Sequence, residues 1–126
     1  NGSSSNTLTH ITISNISAAA SSGIFLSNGS SSNTLTHITI SNISSVSSYY
    51  SSSSGIDLDI RSSSNTFTHI TISNISSSSN SSSGIRFKSG NNTLSNASIS
   101  YSKHYGISVE NGTANNTLRN VLVYKN

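Results

Sequence analysis

The sequence predicts an all-β chain: a right-handed parallel β-helix (solenoid) of about five coils, each of 24–32 residues, with Ser-rich loop insertions. Three observations carry that expectation. Residues 1–17, NGSSSNTLTHITISNIS, return without a change at 28–44. Two short motifs alternate strictly along the chain. The apolar residues, few as they are, alternate with polar ones in period two rather than scattering.

The first motif, Asn-Thr-Leu/Phe, opens at Asn6, Asn33, Asn65, Asn92 and Asn116, in steps of 27, 32, 27 and 24 residues. The second, Gly-Ile-x-apolar, opens at Gly23, Gly55, Gly84 and Gly106. From each Gly to the next Asn the distance is 8 or 10 residues, whereas from Asn to the next Gly it runs from 14 to 22. Length variation is thus confined to one arm, where the Ser runs 17–22, 44–54 and 76–83 fall. Ser runs behave as flexible loops that project outward. The longest carries Tyr49 and Tyr50, expected to pack back onto the coil edge.

Each unit reads as short strands of three to five residues. Ile11 and Ile13 alternate with polar neighbours, as do Ile24 and Leu26, Ile56 and Leu58, Ile85 and Phe87, and Ile107 and Val109. β-Branched residues dominate, and no segment has a helical apolar period. One such strand cannot bury an apolar face, but a stack of copies can. Coils ~4.8 Å apart would pair each backbone with the next. The inward columns are then Leu8/Leu35/Phe67/Leu94/Leu118, Ile11/Ile38/Ile70/Ala97/Val121 and Ile13/Ile40/Ile72/Ile99/Val123, joined by the two apolar columns of the Gly motif. The whole chain, 1–126, is one parallel β-helix segment on this reading.

Four residues after each leading Asn stand His10, His37, His69, Asn96 and Asn120. His and Asn share a raised tolerance for positive φ, so this column is expected to bend the chain between two strands. The leading residues Asn6, Asn33, Asn65, Asn92 and Asn116 are expected to stack as a ladder of side-chain amides inside a turn.

With these columns in place, the chain resembles the right-handed parallel β-helix repeat family with the pectin-lyase-like fold. The stretch NNTLSNASISYSKHYGISVENGTANNTLRN, residues 91–120, reads like its repeat. The resemblance covers essentially the whole chain. It implies three sheets per coil, a short bend at His10 and Asn96, and variable loops at the Ser runs. It speaks to fold rather than activity, since that fold carries lyases, hydrolases, adhesins and inert stalks.

Ser, Asn and Thr make 66 of the 126 residues, with 31% hydrophobic and 7% charged. Such polarity often means disorder, but a net charge of only +3 and regular apolar spacing oppose it. Lys and Arg form no run, which argues against a nucleic-acid partner. No apolar stretch approaches the ~20 residues of a membrane helix. Without cysteine there is no disulfide framework and no thiolate metal site. No signal peptide is legible, and five Asn units face four Gly units with no capping helix at either end. The chain is therefore expected to be a slice of something longer, or a protomer that associates end to end as a homo-oligomer or filament.

Asn-x-Ser/Thr acceptors for covalent glycans stand at Asn1, Asn15, Asn28, Asn42, Asn74, Asn80, Asn91, Asn96, Asn111 and Asn115. The same Asn residues could instead cap turns. Asp57, Asp59 and Arg61 alternate and so should point outward from one strand. With Arg86, Lys88 and Glu110 on the next coils they form cross-coil ion pairs, Asp57–Arg86 and Asp59–Lys88–Glu110. The competing reading makes Asp57 and Asp59 the carboxylates of a glycosidase or lyase. Basic partners would hold both ionised and spoil a general acid. Stacked imidazoles do not converge on a point, so His10, His37 and His69 are expected to hold no metal, and no cofactor is implied. His104 carries no motif. Thr7/Thr9, Thr34/Thr36 and Thr66/Thr68 form an outward array of the kind that binds ice, interrupted at Ser95 and Arg119.

The function these readings point to is structural: an extracellular or cell-surface, glycosylated β-helical fibre or stalk. The alternative is a carbohydrate-binding or carbohydrate-cleaving β-helix, and ice binding is a third, weaker reading.

Overall fold

A computed structural model describes residues 2–46, 52–78 and 81–126. Asn1, Asn80, Tyr49 and Tyr50 lie outside the described residues. The chain is all-β, with parallel strands in two sheets and no helix among the described residues. Its strands are β1 (Thr7–Ala18), β2 (Ser21–Leu26), β3 (Thr34–Ser45), β4 (Ser53–Leu58), β5 (Thr66–Ser77), β6 (Ser82–Phe87), β7 (Thr93–Ser102), β8 (Tyr105–Val109) and β9 (Thr117–Tyr124). Odd-numbered strands form one sheet in the order β1-β3-β5-β7-β9, and even-numbered strands form the other, β2-β4-β6-β8. The chain thus visits the sheets alternately, and each repeat adds one strand to each.

Register follows the sequence repeat. Ile13 pairs with Ile40, Ile40 with Ile72, Ile72 with Ile99 and Ile99 with Val123. In the second sheet Ile24, Ile56, Ile85 and Ile107 form one column and Leu26, Leu58, Phe87 and Val109 another. Inward residues of the middle repeats, among them Ile40, Ile72, Phe67 and Phe87, are fully buried in one core shared by both sheets. Burying each such side chain contributes about 1.5–3 kcal/mol, which is how a Ser-rich chain can be ordered.

The glycines of the Gly-Ile motif let the sheets approach. A Cβ on Gly55 would lie 2.6 Å from both the Gly84 carbonyl oxygen and Cγ2 of Ile72. On Gly84 it would lie 2.3 Å from Cγ2 of Ile99, and on Gly106 2.1 Å from Cγ1 of Val123. No side chain fits at these three places.

Corners come from left-handed residues. Three columns of non-glycine residues hold positive φ between 50° and 60°: Ser5/Ser32/Ser64/Asn91/Asn115, His10/His37/His69/Asn96/Asn120 and Asn15/Asn42/Asn74/Tyr101/Lys125. Each turns the chain and places two successive side chains outward. In β3, Leu35 is buried and Thr36 and His37 are not, then Ile38 and Ile40 are buried, Asn42 is exposed and Ile43 is buried. Every such corner therefore resets the in–out alternation.

The structure differs from the sequence expectation in three ways. The strands of the first sheet are 8–12 residues long, not three to five, because pairing resumes after each corner: Thr9 pairs with Thr36 and Ile11 with Ile38. There are two hydrogen-bonded sheets, not three, since the corners bend the first sheet without ending it. And the corner at Asn15 leads to a further inward column, Ile16/Ile43/Ile75/Ser102.

Candidate functional site: polar ladders on the stacked strands

The first ladder is internal. Asn33, Asn65 and Asn92 are buried, while Asn6 is exposed and Asn116 half-buried. Asn6 donates its backbone N–H and its Nδ2 to Oδ1 of Asn33, both at 3.0 Å. Asn33 does the same to Asn65, and Asn65 to Asn92. The backbone N–H of Asn92 reaches Oδ1 of Asn116 at 2.9 Å. The remaining amide hydrogens go to carbonyls, Asn65 Nδ2 to Ser30 at 3.0 Å and Asn116 Nδ2 to Ser89 at 3.0 Å. Asn suits this place because one side chain supplies both an acceptor and two donors.

A second ladder runs on the surface at the corner column. Nδ2 of Asn42 donates to Oδ1 of Asn15, and Nδ2 of Asn74 to Oδ1 of Asn42, both at 3.1 Å. In the separate corner column of His10, Asn120 donates likewise to Asn96 at 2.7 Å. An amide nitrogen carries two hydrogens, so each donor, Asn42, Asn74 and Asn120, uses one of them in the ladder. The acceptor asparagines that the structure describes (Asn15, Asn28, Asn42, Asn74, Asn91, Asn96, Asn111 and Asn115) are all exposed.

His10, His37 and His69 stack face to face, with centroids 4.7 Å apart and planes 4–5° from parallel. Nδ1 of His10 lies 2.8 Å from the Thr9 hydroxyl, and Nδ1 of His37 lies 3.1 Å from that of Thr36. Their column floors an open groove of about 650 Å³ on the outer face of the first sheet, with Thr12, Thr39, Thr71 and Ser98 along one side and Asn96 and Asn120 at one end. No group of three or more His, Asp or Glu side chains able to hold a metal ion occurs among the described residues.

Asp57 and Arg86 lie on adjacent strands of the second sheet, with Asp59 and Lys88 just beyond the strand ends. Arg86 grips Asp57 through two nitrogens, Nε to Oδ1 at 3.0 Å and a terminal nitrogen to Oδ2. That hydrogen bond to Asp57 raises the Arg86 pKa above its usual value, against the opposing effect of burial. Lys88 approaches Asp59 at 3.9 Å, with both side chains partly exposed. Three expectations need correction. Asp57 faces outward but is only 4% exposed. Asp59 and Arg61 do not continue the strand: β4 ends at Leu58, and Arg61 sits at φ 65° in the turn beyond. Among the described residues no ion pair joins Lys88 to Glu110, whose charge acts on Arg86 instead.

Sequence reasoning passed over the buried serines. The Ser21 hydroxyl donates to the Ser44 carbonyl at 2.9 Å, and Ser53 to the Ser76 carbonyl. Their column partner Ser82 meets Nδ1 of His104 at 2.8 Å instead. The signal was present as Ser-Ser before each of Gly23, Gly55 and Gly84.

No family model matches this sequence, and neither a curated protein nor a solved structure is detectably similar to it. Among the described residues no helix is long and apolar enough to cross a membrane.

Proposed function

We propose that the chain is a segment of a right-handed parallel β-helix, a solenoid, acting as an extracellular structural element: a glycosylated fibre or surface stalk. The observation that carries this reading is the pair of parallel sheets visited alternately, with identical residues in register from repeat to repeat. A chain that alternates between two facing parallel sheets is wound as a coil, and the crossover rule makes the coil right-handed. The resemblance to the pectin-lyase-like β-helix repeat family rests on the same columns. Repetition favours a scaffold over a catalyst, because a reaction needs one distinct place and this surface offers similar places at every level. Hydroxyls and amides outside give hydration, and the exposed acceptor asparagines give points for sugar attachment. End-to-end self-association adds length.

Secretion of the chain from a eukaryotic host, followed by glycopeptide mass spectrometry and negative-stain imaging, tests the proposal. Sugar on several of Asn15, Asn28, Asn42, Asn74, Asn91 and Asn111, together with rod-shaped particles, supports it. Bare acceptors on compact, unassociated particles would remove both the glycan and the fibre. The second reading, a carbohydrate-binding or carbohydrate-cleaving β-helix, is favoured by the open groove along His10, His37 and His69. It would be promoted by polysaccharide cleavage lost on Asp57→Asn or Asp59→Asn substitution, or by sugar binding lost on His37→Ala.

A further inference from the structure

We infer that Asn111 is a site of spontaneous, structure-selected deamidation, with Gly112 as the internal nucleophile. Asn-Gly occurs at 1–2, 28–29 and 111–112, and the first asparagine lies outside the described residues. The chemistry needs only the chain and water. The deprotonated backbone nitrogen of the glycine attacks Cγ of the asparagine side chain. A carbon–nitrogen bond forms, the side-chain carbon–nitrogen bond breaks, and ammonia leaves with the protons it gathers from solvent. Water then opens the resulting five-membered imide at either carbonyl, giving aspartate or isoaspartate. Nothing is oxidised or reduced. Glycine permits the attack because it has no side chain to obstruct the nitrogen.

The two described sites share this chemistry but not its freedom. Asn28 and Gly29 hold φ of 50° and 83°, in a turn closed by Ser30 N–H to the Ser27 carbonyl at 3.1 Å and by the Ser30 hydroxyl to the same oxygen at 2.8 Å. The preceding repeat lies directly on that turn. A Cβ on Gly2 would be 2.5 Å from the Gly29 carbonyl carbon and 2.6 Å from the Asn28 oxygen, and Ser3 N–H reaches the Ser30 hydroxyl at 3.3 Å. Swinging the Gly29 nitrogen onto Cγ of Asn28 requires this layer to open. At Gly112, with φ 84°, nothing lies within 4 Å of the Cβ position. Asn111 is exposed, and its turn is closed by the same pair of bonds, Thr113 N–H to the Glu110 carbonyl at 3.3 Å and the Thr113 hydroxyl to the same oxygen at 2.8 Å, so the difference lies in the layer above. At neither site does a hydrogen bond engage the asparagine side-chain amide or the glycine N–H among the described residues, so the covering layer alone separates them.

The product at Asn111 places a carboxylate beside Glu110, in a turn with room for the extra backbone atom of isoaspartate. It also erases the Asn-Gly-Thr acceptor, so deamidation and sugar attachment compete for one nitrogen. The inference itself concerns the bare chain and does not depend on the glycan reading.

The test uses chain produced without glycosylation, aged at mildly alkaline pH, with peptide mass mapping and isoaspartate-specific enzymatic methylation. In the folded protein Asn111 converts roughly tenfold faster than Asn28, whose reaction waits on local opening. In denaturant the two rates converge, since the flanking sequences no longer differ in packing. Gly112→Ala slows Asn111 in both states and leaves Asn28 unchanged. Equal rates in the folded chain, or the same ratio folded and unfolded, overturn the inference.

Discussion

Asn33 gives both its backbone N–H and its side-chain Nδ2 to the single Oδ1 of Asn65, each at 3.0 Å. Both residues are buried, so neither donor can turn to water. Asn65→Ala removes the acceptor of two donors and the donor to Asn92 and Ser30 at once. Unmet buried polar groups cost about 1–3 kcal/mol each, so the variant should lose at least about 2–4 kcal/mol. Urea titration followed by circular dichroism measures this. A loss below that of an exposed Ser→Ala control would show that the ladder contributes little.

Gly55→Ala should cost about 1–3 kcal/mol by overpacking. One of the two atoms its Cβ meets at 2.6 Å is the Gly84 carbonyl oxygen, which is backbone and cannot rotate away. Ile72→Ala, which removes Cγ2 of Ile72, should therefore fail to rescue the variant once its own cost is subtracted in a double-mutant cycle. A double variant as stable as Ile72→Ala alone would place the clash in the side chain alone.

The corner residues separate backbone preference from ring stacking. Replacing His37, at φ 54°, with Val forces a β-branched residue into the left-handed region, at a cost of about 1–2 kcal/mol. His37→Asn keeps a residue suited to that region but breaks the stack with His10 and His69. Its melting temperature should match or exceed that of the parent. If Asn destabilises as much as Val, the stack rather than the corner sets the choice of His.

Arg86→Leu and Lys88→Leu compare a buried ion pair with an exposed one. The first leaves the Asp57 carboxylate, its side chain 5% exposed, without its partner, and should cost about 3 kcal/mol. The second removes a 3.9 Å contact between partly solvated groups, worth about 0.2–1 kcal/mol. The sign with pH is set by Arg86, whose pKa is raised in the folded state. Its contribution is complete below the unfolded arginine value and is lost only as pH rises through the raised folded one. Stability attributable to this guanidinium should thus be flat from neutral to moderately alkaline pH, as denaturant midpoints can check.

Deleting residues 18–44 removes one 27-residue period and rejoins Ser17 to Ser45 with the local sequence unchanged. β1 then meets β5 through the same residues that β3 offers now: Thr, Ile and Ser at each register position, with Phe67 on Leu8. The shortened chain should keep its strand circular dichroism and melt at a lower temperature. Loss of all ordered structure would mean that the repeats are not interchangeable.

Much of the architecture was legible because columns repeat: Ile13, Ile40 and Ile72 could be aligned by spacing alone, and the bend at His10 by residue type. Ile16 was missed because the left-handed Asn15 puts two residues, not one, between it and Ile13, which breaks the period that identifies a strand. Ser53 and Ser82 were marked only by position, as the Ser-Ser that precedes the Gly-Ile motif. In a chain with 37 serines, composition cannot mark the few that are buried. The burial of Asp57 depends on Arg86 folding over it from the next repeat, a side-chain arrangement that strand alternation does not encode.

Every strand in either sheet pairs only with strands of adjacent repeats, and the chain's two ends lie toward opposite extremes of the stack. Tension applied to those ends therefore draws on the outermost pairing while inner ones stay unloaded. Each rupture frees about 27 residues, on the order of 90 Å of slack. A stack with repeats of 24–32 residues should therefore lengthen in steps of similar size and dissipate work at each one.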